Sequence, residues 1–188
     1  ALTMGQTGQN VLVGGDSIAA NTFKDAGGGY KYAAFRDTGA ATWTCPSNVT
    51  SAEILIVAGG GGGGGEHYAG GGGAGGVVHD ENYTVVPGVV YDITVGAGGA
   101  ANAANGSDSV WNVNAEGSGI AMTAVGGGRG GYGGGGSNPN GQPGGSGGGN
   151  DNDSSQSGGG TSTQTSHTGA DGYGNAGEDD TGPVSYTH

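Results

Sequence analysis

Seven consecutive glycines, Gly59–Gly65, and four more at Gly70–Gly73 stand between two short runs of β-branched residues in "VAGGGGGGGEHYAGGGGAGGVV", residues 57–78. No feature of the chain restricts its fold more. Glycine has no side chain to bury, and ordering each one costs about 1–2 kcal/mol of backbone entropy. A fold that keeps such runs must therefore find partners for their N–H and C=O groups. Glycine supplies 51 of the 188 residues, but runs such as Gly59–Gly65 and Gly133–Gly136 lack the strict three-residue period of collagen.

Between the glycines the chain reads as strands. "ATWTCP" (41–46) alternates, "AEILIVA" (52–58) is an apolar run of strand length, and "YTVV" (83–86) and "YDITV" (91–95) flank Val86-Pro87-Gly88-Val89. Proline at the second and glycine at the third turn position specify a type II turn, so 83–95 is expected to be a hairpin. Tyr91, Ile93 and Val95 would then share one face and Asp92 and Thr94 the other. A further strand is expected at "IAMTAV" (120–125), after the turn-forming "ANGSDS" (104–109) and Trp111. Nowhere does an i, i+3, i+4, i+7 apolar pattern last three turns, so no helix is expected.

These elements predict an all-β fold, a small antiparallel β-sandwich with an inserted and appended bundle of polyglycine II helices. Extended glycine runs with three residues per turn have no internal hydrogen bonds, and only glycine lets them approach closely enough to bond sideways. The expected division is an arm or attachment segment at 1–38, a sandwich body at 39–125 carrying the glycine insertion 59–75, and a glycine-rich region at 126–188. The interruptions "EHYA" (66–69), "SNPNGQP" (137–143), "NDNDSSQS" (150–157) and "TSTQTSHT" (161–168) become loops at the ends of the packed runs. Varied polar loops on a rigid scaffold are a common way to build a binding surface.

Four basic residues against sixteen acidic ones, a net charge of −12, weigh against nucleic acid or an anionic membrane surface as a partner. No stretch has the apolar length of a membrane span. Cys45 is the only cysteine, which excludes an internal disulfide, and it reads as a small buried hydrophobe. The glycine runs match GxGxxG only trivially, with no GK[ST] following. "DNDSSQS" has Gln156 where a calcium loop needs glycine. Asp171, Glu178, Asp179 and Asp180 have the oxygen chemistry for Ca²⁺, but a solvated acidic tail is the simpler reading. The four histidines, 67, 79, 167 and 188, lack ligand spacing. With no carboxylate pair, activated nucleophile or metal set, the chain reads as no enzyme and as needing no cofactor.

The succession "GAATWTCPSNVTSAEILIVAGGGGGG", "GGGGAGGVV", "YTVVPGVVYDITVGAGG", "NGSDSVW" and "AMTAVGGGRGG", over about residues 39–136, resembles the glycine-rich domain of bacteriophage tail fibres and related adhesins. The resemblance implies a β-rich body with a polyglycine II bundle, part of a homotrimeric fibre or distal adhesin on the outside of a virion. Its partners would be other virion proteins and a host-cell receptor, a polysaccharide or an outer-membrane protein. Loop position and residue type single out His67, Tyr68, Tyr132, Asn138, Asn140 and Gln142 as receptor contacts. A capsid fibre or decoration protein is the alternative. An ice-binding surface built on Thr161, Thr163 and Thr165 is a further one.

Overall fold

The computed structural model describes residues 2–3, 10–11, 24–27, 30–65, 69–101, 104–132, 140–151 and 158–178. The strands are β1 (Leu2–Thr3), β2 (Asn10–Val11), β3 (Lys24–Gly27), β4 (Tyr30–Tyr32), β5 (Gly39–Thr44), β6 (Ser51–Val57), β7 (Val77–Thr84), β8 (Val90–Val95), β9 (Ser109–Trp111), β10 (Met122–Ala124) and β11 (Asp171–Tyr173). Two four-stranded antiparallel sheets form the body, in the orders β1-β6-β7-β11 and β10-β9-β8-β5. A small third sheet, β2-β4-β3, is formed by the N-terminal region. Among the described residues there is no α-helix, only a 3-10 turn at Glu116–Ser118. The fold is therefore all-β, as the sequence predicts.

The two large sheets are held face to face by the alternation of their strands. In β6, Ala52, Ile54 and Ile56 are buried, while Glu53, Leu55 and Val57 on the other face are partly covered. Tyr91, Ile93 and Val95 of β8 point inward, the face that period-two patterning assigns them. Trp111 of β9 is the centre of the core. It stacks on Tyr91 (centroids 5.1 Å apart, planes 13°) and takes Tyr83 of the opposite sheet edge-on (5.7 Å, 89°). Such pairs add about 0.5–1.5 kcal/mol each to the burial itself. Ala33 and Phe35, just before β5, also enter this core.

The hairpin expected at 83–95 is corrected by the topology. The turn is there: Gly88 has φ +77 and the Val89 N–H donates to the Val86 carbonyl at 3.1 Å. Its flanking strands, however, belong to different sheets. The backbone around the turn bonds elsewhere, the Gly88 N–H to Cys45 O (2.8 Å), the Cys45 N–H to Val89 O (2.8 Å) and the Val86 N–H to the Tyr91 hydroxyl (2.8 Å). These contacts make 86–89 an arch from one sheet to the other. Local turn chemistry was legible, but nothing in 83–95 states which strand each half will pair with.

At the same end of the sandwich the β9–β10 connection is fixed from inside. Asn112, fully buried at φ 57, donates from Nδ2 to the Tyr83 hydroxyl (2.8 Å) and accepts the Glu116 N–H at Oδ1 (2.7 Å). The Tyr83 hydroxyl in turn donates to Ile120 O (2.7 Å). An asparagine tolerates the left-handed conformation better than most residues, which suits it to this point.

Candidate functional site

From the opposite end of the sandwich the chain leaves β6, β8 and β10 in extended glycine-rich segments that run side by side. The segment after β6 pairs with the one before β7: the N–H groups of Ala58, Gly61 and Gly64 donate to the carbonyls of Gly76, Gly73 and Gly70. The donors are three residues apart, and so are the acceptors. That is the repeat of the polyproline II helix, whose residues point in three directions in turn. The same spacing recurs where Gly70, Gly73 and Gly76 donate to Gly131, Gly128 and Val125.

The segment 126–131 lies at the centre of the bundle, and all six of its N–H groups are used. Gly127 and Gly130 donate to Gly59 and Gly62, while Gly128 and Gly131 donate to Ser146 and Gly149. Gly126 and Arg129 donate instead to side chains, Asp108 Oδ1 (2.8 Å) and Asn105 Oδ1 (2.8 Å). The return of these bonds offsets the entropy of ordering glycine. The packing also explains the residue: a Cβ on Gly128 would stand 1.9 Å from the Gln142 carbonyl oxygen, and one on Gly61 would stand 2.2 Å from that of Gly128. Ala74, Ala97 and Ala100 occur where the segment turns its third face outward, and all three are exposed.

The described flanks of three stretches that join the segments meet at the far end of this bundle. Gly64 N–H donates to Gly70 O across residues 65–69, Gly70 N–H to Gly131 O, and Gly131 N–H to Gly149 O, so the described flanks of 66–68, 133–139 and 152–157 meet at one level. Gly141 N–H bonds Gly158 O, tying the far ends of two of these connections together. A fourth turn-round, closed by Ala104 N–H on Ala100 O, lies one hydrogen-bond step lower, where Ala104 O accepts from Gly62.

His67, Tyr68 and Asn138 fall in these connections and lie outside the described residues. Tyr132 follows Gly131 directly and is half-buried, and Asn140 is exposed. Gln142 is half-buried and its backbone is part of the bundle, donating to Arg129 O (2.8 Å) and accepting from Gly148 (3.0 Å). Asp171 lies in β11 opposite His79, and Glu178 is exposed. Asp179 and Asp180 lie outside the described residues, and among the described ones no three His, Cys, Asp or Glu side chains are placed to hold a metal ion.

The stretch 161–168, expected as a loop at a segment end, runs instead along the edge of β10. Gln164 Oε1 accepts the Val125 N–H (2.8 Å), its Nε2 donates to Thr123 O (3.2 Å), and His167 Nε2 lies 3.1–3.2 Å from the Thr123 carbonyl and amide. Amide and imidazole side chains here act as the next strand, closing an edge that would otherwise be open. Thr161, Thr163 and Thr165 are left exposed along it. Arg129, the only basic residue after Arg36, is buried and donates from Nη1 to Gly130 O at 2.7 Å. The sequence reading missed Asn105, Asp108 and Gln164. Their only signal was spacing: Asn105 and Asp108 are three apart, like the two amides they serve.

The family model of the glycine-rich domain matches residues 35–187, which include every strand of the two large sheets except β1 and every described segment of the bundle. The chain belongs to the glycine-rich domain family. No curated protein and no solved structure matches it. In this glycine-rich domain the glycines are thus the bundle's structural material.

Proposed function

We propose that this glycine-rich domain is a non-enzymatic recognition module of a bacteriophage virion, a tail-fibre or adhesin-like domain that touches the host surface through the far end of its bundle. The observation that carries this reading is the meeting of the flanks of 66–68, 133–139 and 152–157 at one level, linked through Gly64, Gly70, Gly131 and Gly149. Separate stretches of sequence are thereby held next to one another on a scaffold whose backbone groups are bonded in every direction. Sequence in such connections can vary without disturbing the segments beneath. The resemblance of residues 39–136 to phage fibre domains supplies the biological setting, and the ligand is a surface polysaccharide or an outer-membrane protein.

The test is binding of the labelled domain to a panel of bacterial cells. A variant carrying His67→Ala and Tyr68→Ala and a second carrying Asn138→Ala and Asn140→Ala are compared with Val113→Ala at the opposite end of the sandwich. Loss of binding in the first two, with the third unchanged, is expected. Retention by both tip variants would overturn the assignment of the tip.

A further inference from the structure

Two Asn-Gly dipeptides occur in the chain, Asn105-Gly106 and Asn140-Gly141. A glycine after asparagine has no Cβ to obstruct its own amide nitrogen, which can therefore reach the carboxamide carbon of the residue before it. Both asparagines are exposed, and both glycine amides are hydrogen-bonded, Gly106 N–H to Gly127 O at 2.8 Å and Gly141 N–H to Gly158 O at 3.0 Å. The side chains differ. Asn105 is held at both ends of its carboxamide, with Oδ1 accepting the Arg129 N–H (2.8 Å) and Nδ2 donating to Pro143 O (3.0 Å). The Asn140 carboxamide has no hydrogen-bond partner among the described residues. It lies over Gly158, where a Cβ would stand 3.3 Å from its Cγ, beside the bond that Gly141 makes. The surroundings differ as well. Gly106 is packed between Gly59 and Gly126 within the bundle, whereas the bond from Gly141 to Gly158 is the last described one between its two segments, beyond that from Gly144 to Thr161. A terminal bond opens at lower cost than an interior one.

We propose that Asn140-Gly141 is a site of spontaneous deamidation in the folded chain, and that the bundle keeps Asn105-Gly106 intact. The reaction needs only water. The Gly141 nitrogen, once it has given its proton to solvent, attacks Asn140 Cγ. The N–Cγ bond forms, the Cγ–Nδ2 bond breaks, and the amide takes up a proton and leaves as ammonia. Water then opens the five-membered imide at one of its two carbonyls, giving aspartate or isoaspartate. Either product puts a carboxylate at the far end of the bundle in place of a neutral carboxamide, and isoaspartate also adds a methylene to the backbone just ahead of Gly141. At Asn105 the carboxamide can turn toward Gly106 only by breaking both of its hydrogen bonds and leaving the Arg129 amide without an acceptor. Two ordinary hydrogen bonds slow such a step by at least about tenfold.

The test is incubation of the full chain at mildly alkaline pH, followed by proteolysis and mass spectrometry that resolves asparagine, aspartate and isoaspartate at each position. The same chain in concentrated urea is the reference. In the native chain Asn140 is expected to convert at least about tenfold faster than Asn105. In urea the two are expected to convert at similar rates, because only the shared dipeptide is then left to set them. Asn140→Gln, whose longer side chain would have to close a larger ring, is expected to keep the melting temperature of wild type and to lose the native-state conversion at this position. A native ratio of the two rates no larger than the ratio in urea overturns the proposal. So does an Asn140 that stays intact in the native chain over the time in which it converts in urea.

Discussion

Asn105 Oδ1 accepts the backbone N–H of Arg129 at 2.8 Å, and three residues along each segment Asp108 does the same for Gly126. Two side chains thus stand in for a neighbouring polyglycine strand, at the same three-residue step. The amide of Asn105 also reaches across with its Nδ2 to Pro143 O at 3.0 Å, tying a third stretch of chain to the pair.

Truncating either side chain leaves an amide of the central segment without its acceptor. Asn105→Ala and Asp108→Ala are each expected to lower stability by about 1–3 kcal/mol, the cost of a buried donor losing its partner. Asp108→Asn keeps an oxygen in place and is expected to cost much less than Asp108→Ala. Urea unfolding followed by tryptophan fluorescence separates the two, and equal losses for Asn and Ala would show that the acceptor at Asp108 contributes nothing.

The glycines of the bundle divide by direction, and substitution should reveal it. A Cβ at Gly127 would stand 2.1 Å from the Gly73 carbonyl oxygen, whereas one at Gly71 meets nothing within 4 Å. Gly127→Ala is therefore expected to force the segments apart and to destabilise by about 3 kcal/mol or more, the upper range for overpacking. Gly71→Ala removes unfolded-state freedom at a site with space and is expected to be neutral or stabilising by about 0.4–1 kcal/mol. Comparable melting temperatures for the two alanine variants would mean that close packing does not select glycine here.

The same physics explains what the sequence disclosed. Alternation in β5, β6 and β8 stated which side chains face the core, because period two is a local property. The glycine runs stated a laterally bonded bundle, because bare backbones without Cβ atoms can approach closely enough to bond sideways. What was not legible is pairing between distant segments. The Val86–Val89 turn has the same local conformation in a hairpin as in an arch, and only the partners of β7 and β8, set by β6 and β5, distinguish them. Gln164 likewise looks like any polar loop residue until β10 is placed beside it.

Cys45 is 1% exposed and its thiol donates to Val49 O at 3.3 Å. Burial pushes its pKa up to about 11, against the smaller opposing effect of the Gly88 amide. The thiolate is the reactive form, so the folded chain is expected to leave a disulfide reagent unreacted at pH 8, with one equivalent released on adding urea. Rapid reaction of the native chain would mean that the arch around Gly88 opens readily.

Stability should fall in alkali, and the direction follows from three buried groups. Burial raises the pKa of Tyr83 and of Tyr91 above 10, in both cases against partially offsetting hydrogen bonds, and raises that of Cys45 from 9.0 to about 11. In the unfolded chain these groups lose their protons at their ordinary values, so above about pH 9 the unfolded state binds fewer protons than the native one. The native advantage is complete below pH 9 and declines as the pH rises, by up to about 1.4 kcal/mol per pH unit for each group titrating only in the unfolded chain. Between pH 9 and 10 the slope belongs mainly to Cys45, and the tyrosines add to it above pH 10. Urea unfolding at half-unit steps from pH 8 to 11 measures the decline. Cys45→Ala is expected to flatten the part between pH 9 and 10 whatever its own effect on stability at pH 8, because the variant has no thiol to titrate. An unchanged slope in that variant would show that the thiol does not titrate differently in the two states.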